Sequence, residues 1–153
     1  MLKKQRLPLV FIGITIAIMS LIVWFSSQPV TDSDSLSLGL ARRLLELFSV
    51  DASKQELRHL NHILRKAAHF TLYFILGCGL TGITSHKWRR IPAAVSISVL
   101  LGAVFAATDE FHQFFSAGRG PSLQDVLLDT CGVAAGSLFL AVCRYCISRK
   151  KSS

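Results

Sequence analysis

Acidic residues are scarce in this chain, and long stretches of it carry almost no charge. Asp and Glu number nine against 17 Lys and Arg among 153 residues, which gives a formal net charge of +8. A soluble helix carries its apolar residues on one face, whereas apolar residues all round a helix are typical of a membrane span. The uncharged stretches therefore exclude an ordinary soluble domain, although the length suits a single domain.

Four apolar blocks have the length of a membrane span. A hydrocarbon core about 30 Å thick needs about 20 helical residues. The blocks cover about residues 7–25, 67–84, 91–108 and 126–147. They predict an all-α fold, an integral membrane bundle of four transmembrane helices, in one domain that covers residues 1–153.

Two further absences narrow the class of protein. No Ala-x-Ala-like site follows the first block, so we expect a retained anchor and not a removable secretory signal. The basic residues flank the spans and form no separate basic face, which argues against nucleic acid as a partner. The lipid bilayer is the predicted environment.

The distribution of charge predicts the orientation. Ten Lys and Arg residues lie on one side of the spans without any acid, and all nine acids lie on the other side. Lys and Arg are enriched in cytoplasmic loops, so we expect a multi-pass protein with both termini in the cytoplasm. The ten are Lys3, Lys4, Arg6, Lys87, Arg89, Arg90, Arg144, Arg149, Lys150 and Lys151.

The first outward loop, residues 26–66, is too long for a simple turn. Residues 31–35 are interpreted as a flexible segment that ends in a helix cap. Residues 36–48 place Leu and Phe on one stripe, which predicts an amphipathic helix that lies on the membrane surface or packs over the bundle. Ser53 and Glu56 have capping-box spacing, so a further helix is expected to begin there and run into the second span.

Polar groups stand at the outward entrance of the second span. Arg65, His69 and Tyr73 recur every four residues and share one helical face, with Lys66 three residues before His69. Ionisable side chains at membrane depth cost about 2.5–3.5 kcal/mol each and normally face a partner or a wet cavity. Interface anchoring and bonds to a neighbouring helix are the alternative role for these side chains.

The third span ends in a similar polar group. Asp109 and Gln113 share a helical face, and Glu110 points about a third of a turn away. The loop that follows contains Gly118, Arg119 and Gly120, which favour a tight turn where backbone amides and Arg119 converge on an anion.

The fourth span begins with two acids on one face. Asp125 and Asp129 lie four residues apart, and Ser122 is the expected cap of this helix. Pairing with a cation such as Arg119 or Arg65 is the expected reason for the acid at position 129. Small residues at 132 and 134–136 predict close helix packing.

Three helix ends thus bring cations and carboxylates to one outward-facing cluster. The cations suit a phosphate or carboxylate ligand, and His69 and Glu110 are the candidate catalytic acid and base. A charge-balanced network that only sets helix register is the alternative. No spacing argues for a metal bound by Asp109, Glu110, His69 and Asp125, so neither a metal nor another cofactor is predicted.

These motifs resemble the VanZ-like membrane protein family. The resemblance is carried by residues 65–77, 109–119 and 122–132, in the expected order, and by Ser27-Gln28-Pro29 after the first span. It implies a small bacterial protein of the cytoplasmic (inner) membrane, associated with the cell envelope and with resistance to the glycopeptide antibiotic teicoplanin. It implies no established molecular activity, so both an enzyme and a binding protein stay open.

Three functions follow from these observations. In the first, the cluster binds or processes an anionic lipid or a lipid-linked cell-wall precursor, held by Arg65, Lys66 and Arg119 while Asp125 and Asp129 orient these cations. In the second, a non-catalytic module binds a protein of the envelope machinery through residues 36–48. The third is a transporter or channel, which would require an oligomer because four spans form a narrow bundle.

Overall fold

The fold is known from a computed structural model, which describes residues 2–27, 30–48, 53–87, 90–116 and 122–150. Within these ranges the chain forms α-helices and no strand. The helices are α1 (Leu2–Ser26), α2 (Val30–Leu47), α3 (Lys54–Lys87), α4 (Ile91–Ser116) and α5 (Leu123–Lys150).

Four of these helices are long and apolar enough to cross a membrane, and α2 is not among them. The predicted all-α bundle with four candidate transmembrane helices is therefore confirmed. The helices are longer than the predicted apolar blocks and extend into polar residues at their ends. Polar side chains do not end a helix, because its backbone hydrogen bonds form within the helix itself. The candidate spans are Pro8–Ser26, Lys54–His86, Ile91–Gln113 and Leu123–Lys150.

The start of α3 is the predicted capping box. The Ser53 backbone N–H donates to Glu56 Oε2 at 2.8 Å, and the Glu56 backbone N–H donates to Ser53 Oγ at 3.3 Å. Two otherwise unsatisfied amides are thereby paired at the helix terminus. From there α3 runs for 34 residues without a break, as predicted.

The beginning of α2 corrects one prediction. Residues 31–35, expected to be a flexible segment, belong to the helix, which begins at Val30. The segment contains two Asp residues, and acids are favourable in the first turns of a helix because its N-terminus carries partial positive charge. The flexible interpretation gave too much weight to the tendency of Ser and Asp to form turns.

Helix α2 packs on α3 and has both buried and exposed residues. Ala41 is fully buried, whereas Leu40, Leu47 and Phe48 are 52%, 76% and 73% exposed. Three members of the predicted apolar stripe therefore do not cover the bundle. This arrangement favours the alternative in which the stripe faces the membrane surface.

Close contact between α3 and α5 organises the bundle. A Cβ added at Gly136 would collide with the Phe74 carbonyl oxygen, and one added at Gly77 would collide with the Val133 carbonyl oxygen. At Gly132 the added atom would lie 2.8 Å from a backbone oxygen of α3. Small residues let two helix backbones approach in this way, so the predicted close packing of α5 is confirmed.

One end of the bundle, named here the polar end, gathers the end of α1, the end of α4 and the start of α5. Ser26 meets Asp109 there, and Lys66 meets Asp125. At the opposite end Arg144 donates a hydrogen bond to Ser85. The beginning of α1 and the end of α5 consequently lie at the same end of the bundle, away from the polar end.

Candidate functional site

Asp109 is the centre of a buried hydrogen-bond network at the polar end. Its Oδ2 accepts hydrogen bonds from Ser26 Oγ at 2.8 Å, Gln113 Nε2 at 3.2 Å and the Tyr73 hydroxyl at 3.3 Å. Gln113 Nε2 also donates to Ser26 Oγ at 3.3 Å. The network joins α1, α3 and α4, and the shared face predicted for positions 109 and 113 is confirmed.

Asp129, nearly two helical turns into α5, faces His69. The distance from His69 Nδ1 to Asp129 Oδ2 is 3.7 Å, with the acid buried and the imidazole side chain 30% exposed. The expected partner was a cation such as Arg119 or Arg65, and Arg119 lies outside the described residues. His69 is one helical turn after Arg65 on α3, and close packing of α3 and α5 at Gly132 accompanies its pairing with Asp129.

Lys66 and Asp125 form a second acid–base pair, nearer the mouth of the site. Their Nζ and Oδ1 atoms are 3.6 Å apart, and both side chains are more than a third exposed. Asp125 and Asp129 are one turn apart on α5, and Lys66 and His69 are about one turn apart on α3. Because α3 and α5 pack side by side, the two pairs form a short ladder between these helices.

Glu110 connects the end of α4 to the start of α5. Its Oε1 accepts a 2.7 Å hydrogen bond from the backbone N–H of Ser122. Ser122 Oγ in turn accepts from the Asp125 backbone N–H at 3.3 Å, so the predicted cap of α5 is confirmed. Glu110 thus has a structural contact in addition to its place in the site.

A cavity of about 260 Å³ lies at the polar end between these groups. It gathers most of the predicted cluster. Tyr73 and Asp109 reach it indirectly, through the hydrogen bonds of Asp109 with Gln113. Its lining comprises His62, Arg65, Lys66, His69, Glu110, Gln113, Asp125, Leu128 and Asp129.

Two polar residues of the site were not predicted. His62 precedes Lys66 by four residues and His69 by seven, so helical spacing alone places it on the same face and could have identified it. Ser26 is a polar residue at the end of a span, but no pattern in the sequence connects it with Asp109. That connection exists only because α1 and α4 end at the same level of the bundle.

The fold and the cavity define a small multi-pass membrane protein with a polar site at one end of its helix bundle. The sequence model of the VanZ/LLP1 family matches residues 11–144, most of the chain. The protein belongs to the VanZ/LLP1 family, which confirms the resemblance seen in the motifs. No curated protein and no solved structure shows significant similarity to the chain.

Proposed function

We propose that the polar cavity binds the anionic headgroup of a cell-envelope molecule. The ligand class is an anionic lipid or a lipid-linked cell-wall precursor. The observation that carries this proposal is the cavity, where Arg65 and Lys66 line a space of about 260 Å³. Sites for small molecules are commonly about 300–1,000 Å³, so this space suits a headgroup whose acyl or polyprenyl chain stays in the lipid.

The proposed orientation makes the cavity accessible from the outer leaflet. Basic residues without acids flank the end of the bundle opposite the cavity, which by the positive-inside rule is the cytoplasmic end. In the inner membrane of a bacterium, the polar end would then face the envelope. A headgroup could enter sideways from the leaflet in which its lipid resides.

Each part of the cluster has a proposed role. Arg65 and Lys66 hold the anion, since charge-assisted hydrogen bonds contribute about 1.5–3 kcal/mol each. Arg119, outside the described residues, is the third proposed cation. Asp125, 3.6 Å from Lys66, keeps that ammonium over the cavity.

If the protein also converts the ligand chemically, His69 and Glu110 are the proposed catalytic acid and base. Both line the cavity, and Asp129 orients the imidazole of His69 across 3.7 Å. A side chain that moves a proton must lie within hydrogen-bond reach of the reacting group, and the place of both residues in the cavity lining supports these roles. Mass spectrometry of the ligand after incubation with the protein would separate binding from chemistry.

The binding proposal is tested by titrating the purified full chain with short-chain phosphatidylglycerol. Lys66→Gln should weaken binding at least about tenfold, because one charge-assisted contact is lost. Arg58→Gln is the matched control, since Arg58 is an exposed cation two turns earlier on α3 that does not line the cavity and donates to the Lys54 carbonyl of its own helix. Equal affinities for Lys66→Gln and Arg58→Gln would contradict the proposal.

The second candidate function is a non-catalytic module that binds a protein of the envelope machinery through α2. The exposed apolar side chains of Leu40, Leu47 and Phe48 favour it. Under this function Leu40→Glu abolishes activity while Lys66→Gln is tolerated. Under headgroup binding, Lys66→Gln abolishes activity and Leu40→Glu is tolerated. One cellular assay on both variants therefore distinguishes the two functions.

A further inference from the structure

Three residues with metal-binding side chains converge beneath the cavity. His69 comes from α3, Asp109 from α4 and Asp129 from α5, and one ligand atom from each lies within 4.8 Å of the other two. We propose that His69, Asp109 and Asp129 bind a divalent transition-metal ion of the Zn²⁺ or Mn²⁺ type. This site goes beyond headgroup binding and does not depend on it.

Each of the two carboxylates has an oxygen atom that is buried without a hydrogen-bond partner. Asp109 Oδ2 accepts three hydrogen bonds while Asp109 Oδ1 accepts none, and Asp129 Oδ1 accepts none either. Both residues are only 4% exposed, so bulk water does not replace the missing partner. Buried polar atoms are nearly always paired, and a metal ion bound by the two carboxylates would give such oxygens a partner.

The charges in this region also point to a cation. Within the described part of the chain, neutral groups donate the three hydrogen bonds to Asp109 Oδ2, and His69 lies within ion-pair distance of Asp129. Two ionised carboxylates that lie close together inside a protein repel each other, and a cation bound between them would remove this repulsion. If the carboxylates served only to set the helix register, a hydrogen-bond donor would be expected for each oxygen. The two oxygens without a donor would add no stability to such a network.

The distances and the ligand types restrict the ion. Zinc bonds to imidazole nitrogen and carboxylate oxygen measure about 2.0–2.2 Å, so two ligands of one ion lie at most about 4.4 Å apart. The separation of 3.7 Å between His69 Nδ1 and Asp129 Oδ2 is within this limit. The three ligand atoms together lie within 4.8 Å of one another, so the set would contract slightly around the ion. Imidazole suits Zn²⁺ and carboxylate suits both Zn²⁺ and Mn²⁺, whereas Mg²⁺ and Ca²⁺ prefer oxygen ligands throughout.

Neighbouring groups support the proposed ligands in the manner usual for metal sites. Ser26, Tyr73 and Gln113 hold Asp109 Oδ2, which leaves Oδ1 as the free oxygen of a fixed carboxylate. Hydrogen bonds of this kind orient a carboxylate ligand. His69 and Asp129 also line the cavity, so a further ligand from the cavity could complete the coordination.

The test is metal content of the full chain in detergent. The protein is stripped with a chelator, incubated with a small excess of Zn²⁺ or of Mn²⁺, desalted and analysed by inductively coupled plasma mass spectrometry. We expect about one ion per chain for one of the two metals, with a higher unfolding temperature in its presence. Asp129→Asn and His69→Gln should each bind that ion at least tenfold more weakly and lose the rise in unfolding temperature.

Asp125→Asn is the matched control, since it removes the same charge one turn away on α5 from a residue outside the proposed ligand set. It should keep the metal content of the wild type. Asp109→Asn should lose the ion, and size-exclusion chromatography shows whether this buried variant is folded. A wild type that takes up neither ion, or ligand variants that retain the wild-type content, would overturn the metal site, whereas the phosphatidylglycerol titration tests headgroup binding independently.

Discussion

Ser26 Oγ donates a 2.8 Å hydrogen bond to Asp109 Oδ2, across 83 positions of sequence. The bond joins the end of α1 to the end of α4 inside the bundle. The hydroxyl of Ser27, the next residue, donates instead to the Val23 carbonyl of α1 at 2.7 Å. Of these two adjacent serines, Ser26 therefore joins two helices, whereas Ser27 forms a hydrogen bond to α1.

Ser26→Ala should lower the free energy of unfolding by about 1–2 kcal/mol, because a buried carboxylate loses a donor. Ser27→Ala should change it by less than about 0.5 kcal/mol, because Ser27 is exposed and its helix keeps its backbone bonds. Thermal unfolding of the purified protein in detergent measures both. Equal effects of the two substitutions would show that the hydrogen bond between α1 and α4 contributes nothing to the free energy of unfolding.

Gly136→Ala should destabilise the bundle by about 3 kcal/mol. The added methyl group meets the backbone carbonyl of Phe74, which cannot rotate away as a side chain could. Gly13→Ala is the control, since an added Cβ at Gly13 meets nothing within 4 Å, and its effect should stay within about 1 kcal/mol. The measurement is the fraction of folded, monodisperse protein after heating, and a tolerated Gly136→Ala would contradict the close α3–α5 packing.

Glu110→Gln should keep the fold and lose the function. Gln retains an oxygen that accepts the hydrogen bond of the Ser122 backbone N–H, so the start of α5 stays in place. Glu110→Ala should cost about 1–3 kcal/mol of stability, because that buried amide loses its acceptor. Membrane levels of the two variants, determined by immunoblotting, test the structural half of this prediction.

The predicted loss of function in Glu110→Gln is tested by teicoplanin susceptibility. The bacteria compared express the wild type or Glu110→Gln at equal membrane levels. If the wild type protects and the variant does not, the carboxylate of Glu110 is needed for function. Equal protection would make it a structural residue and favour partner binding through α2. If neither protects, the link to this antibiotic does not extend to this protein.

Lys66→Gln should affect stability far less than ligand affinity. Lys66 and Asp125 are both more than a third exposed, and exposed ion pairs contribute about 0.2–1 kcal/mol. The unfolding temperature of Lys66→Gln should therefore stay close to that of the wild type while its affinity for phosphatidylglycerol falls. A large loss of stability would instead indicate that the pair exists to hold α3 and α5 together.

The helix start at Ser53 was predictable because a capping box is a local pattern that uses side chains and amides three residues apart. The face that carries Lys66, His69 and Tyr73 was predictable for the same reason, since helical periodicity alone decides it. The early start of α2 was not predicted, because Ser and Asp favour both turns and helix N-termini.

The sequence by itself determined the membrane class, the four spans and the polar ends of three of them, since these follow from apolar length and helical period. Only the tertiary structure decided which polar groups meet. His69 opposes Asp129 and Ser26 reaches Asp109 because glycines let α3 and α5 approach and because α1 and α4 end at one level. Such pairings depend on the relative height and rotation of separate helices, which no local pattern specifies.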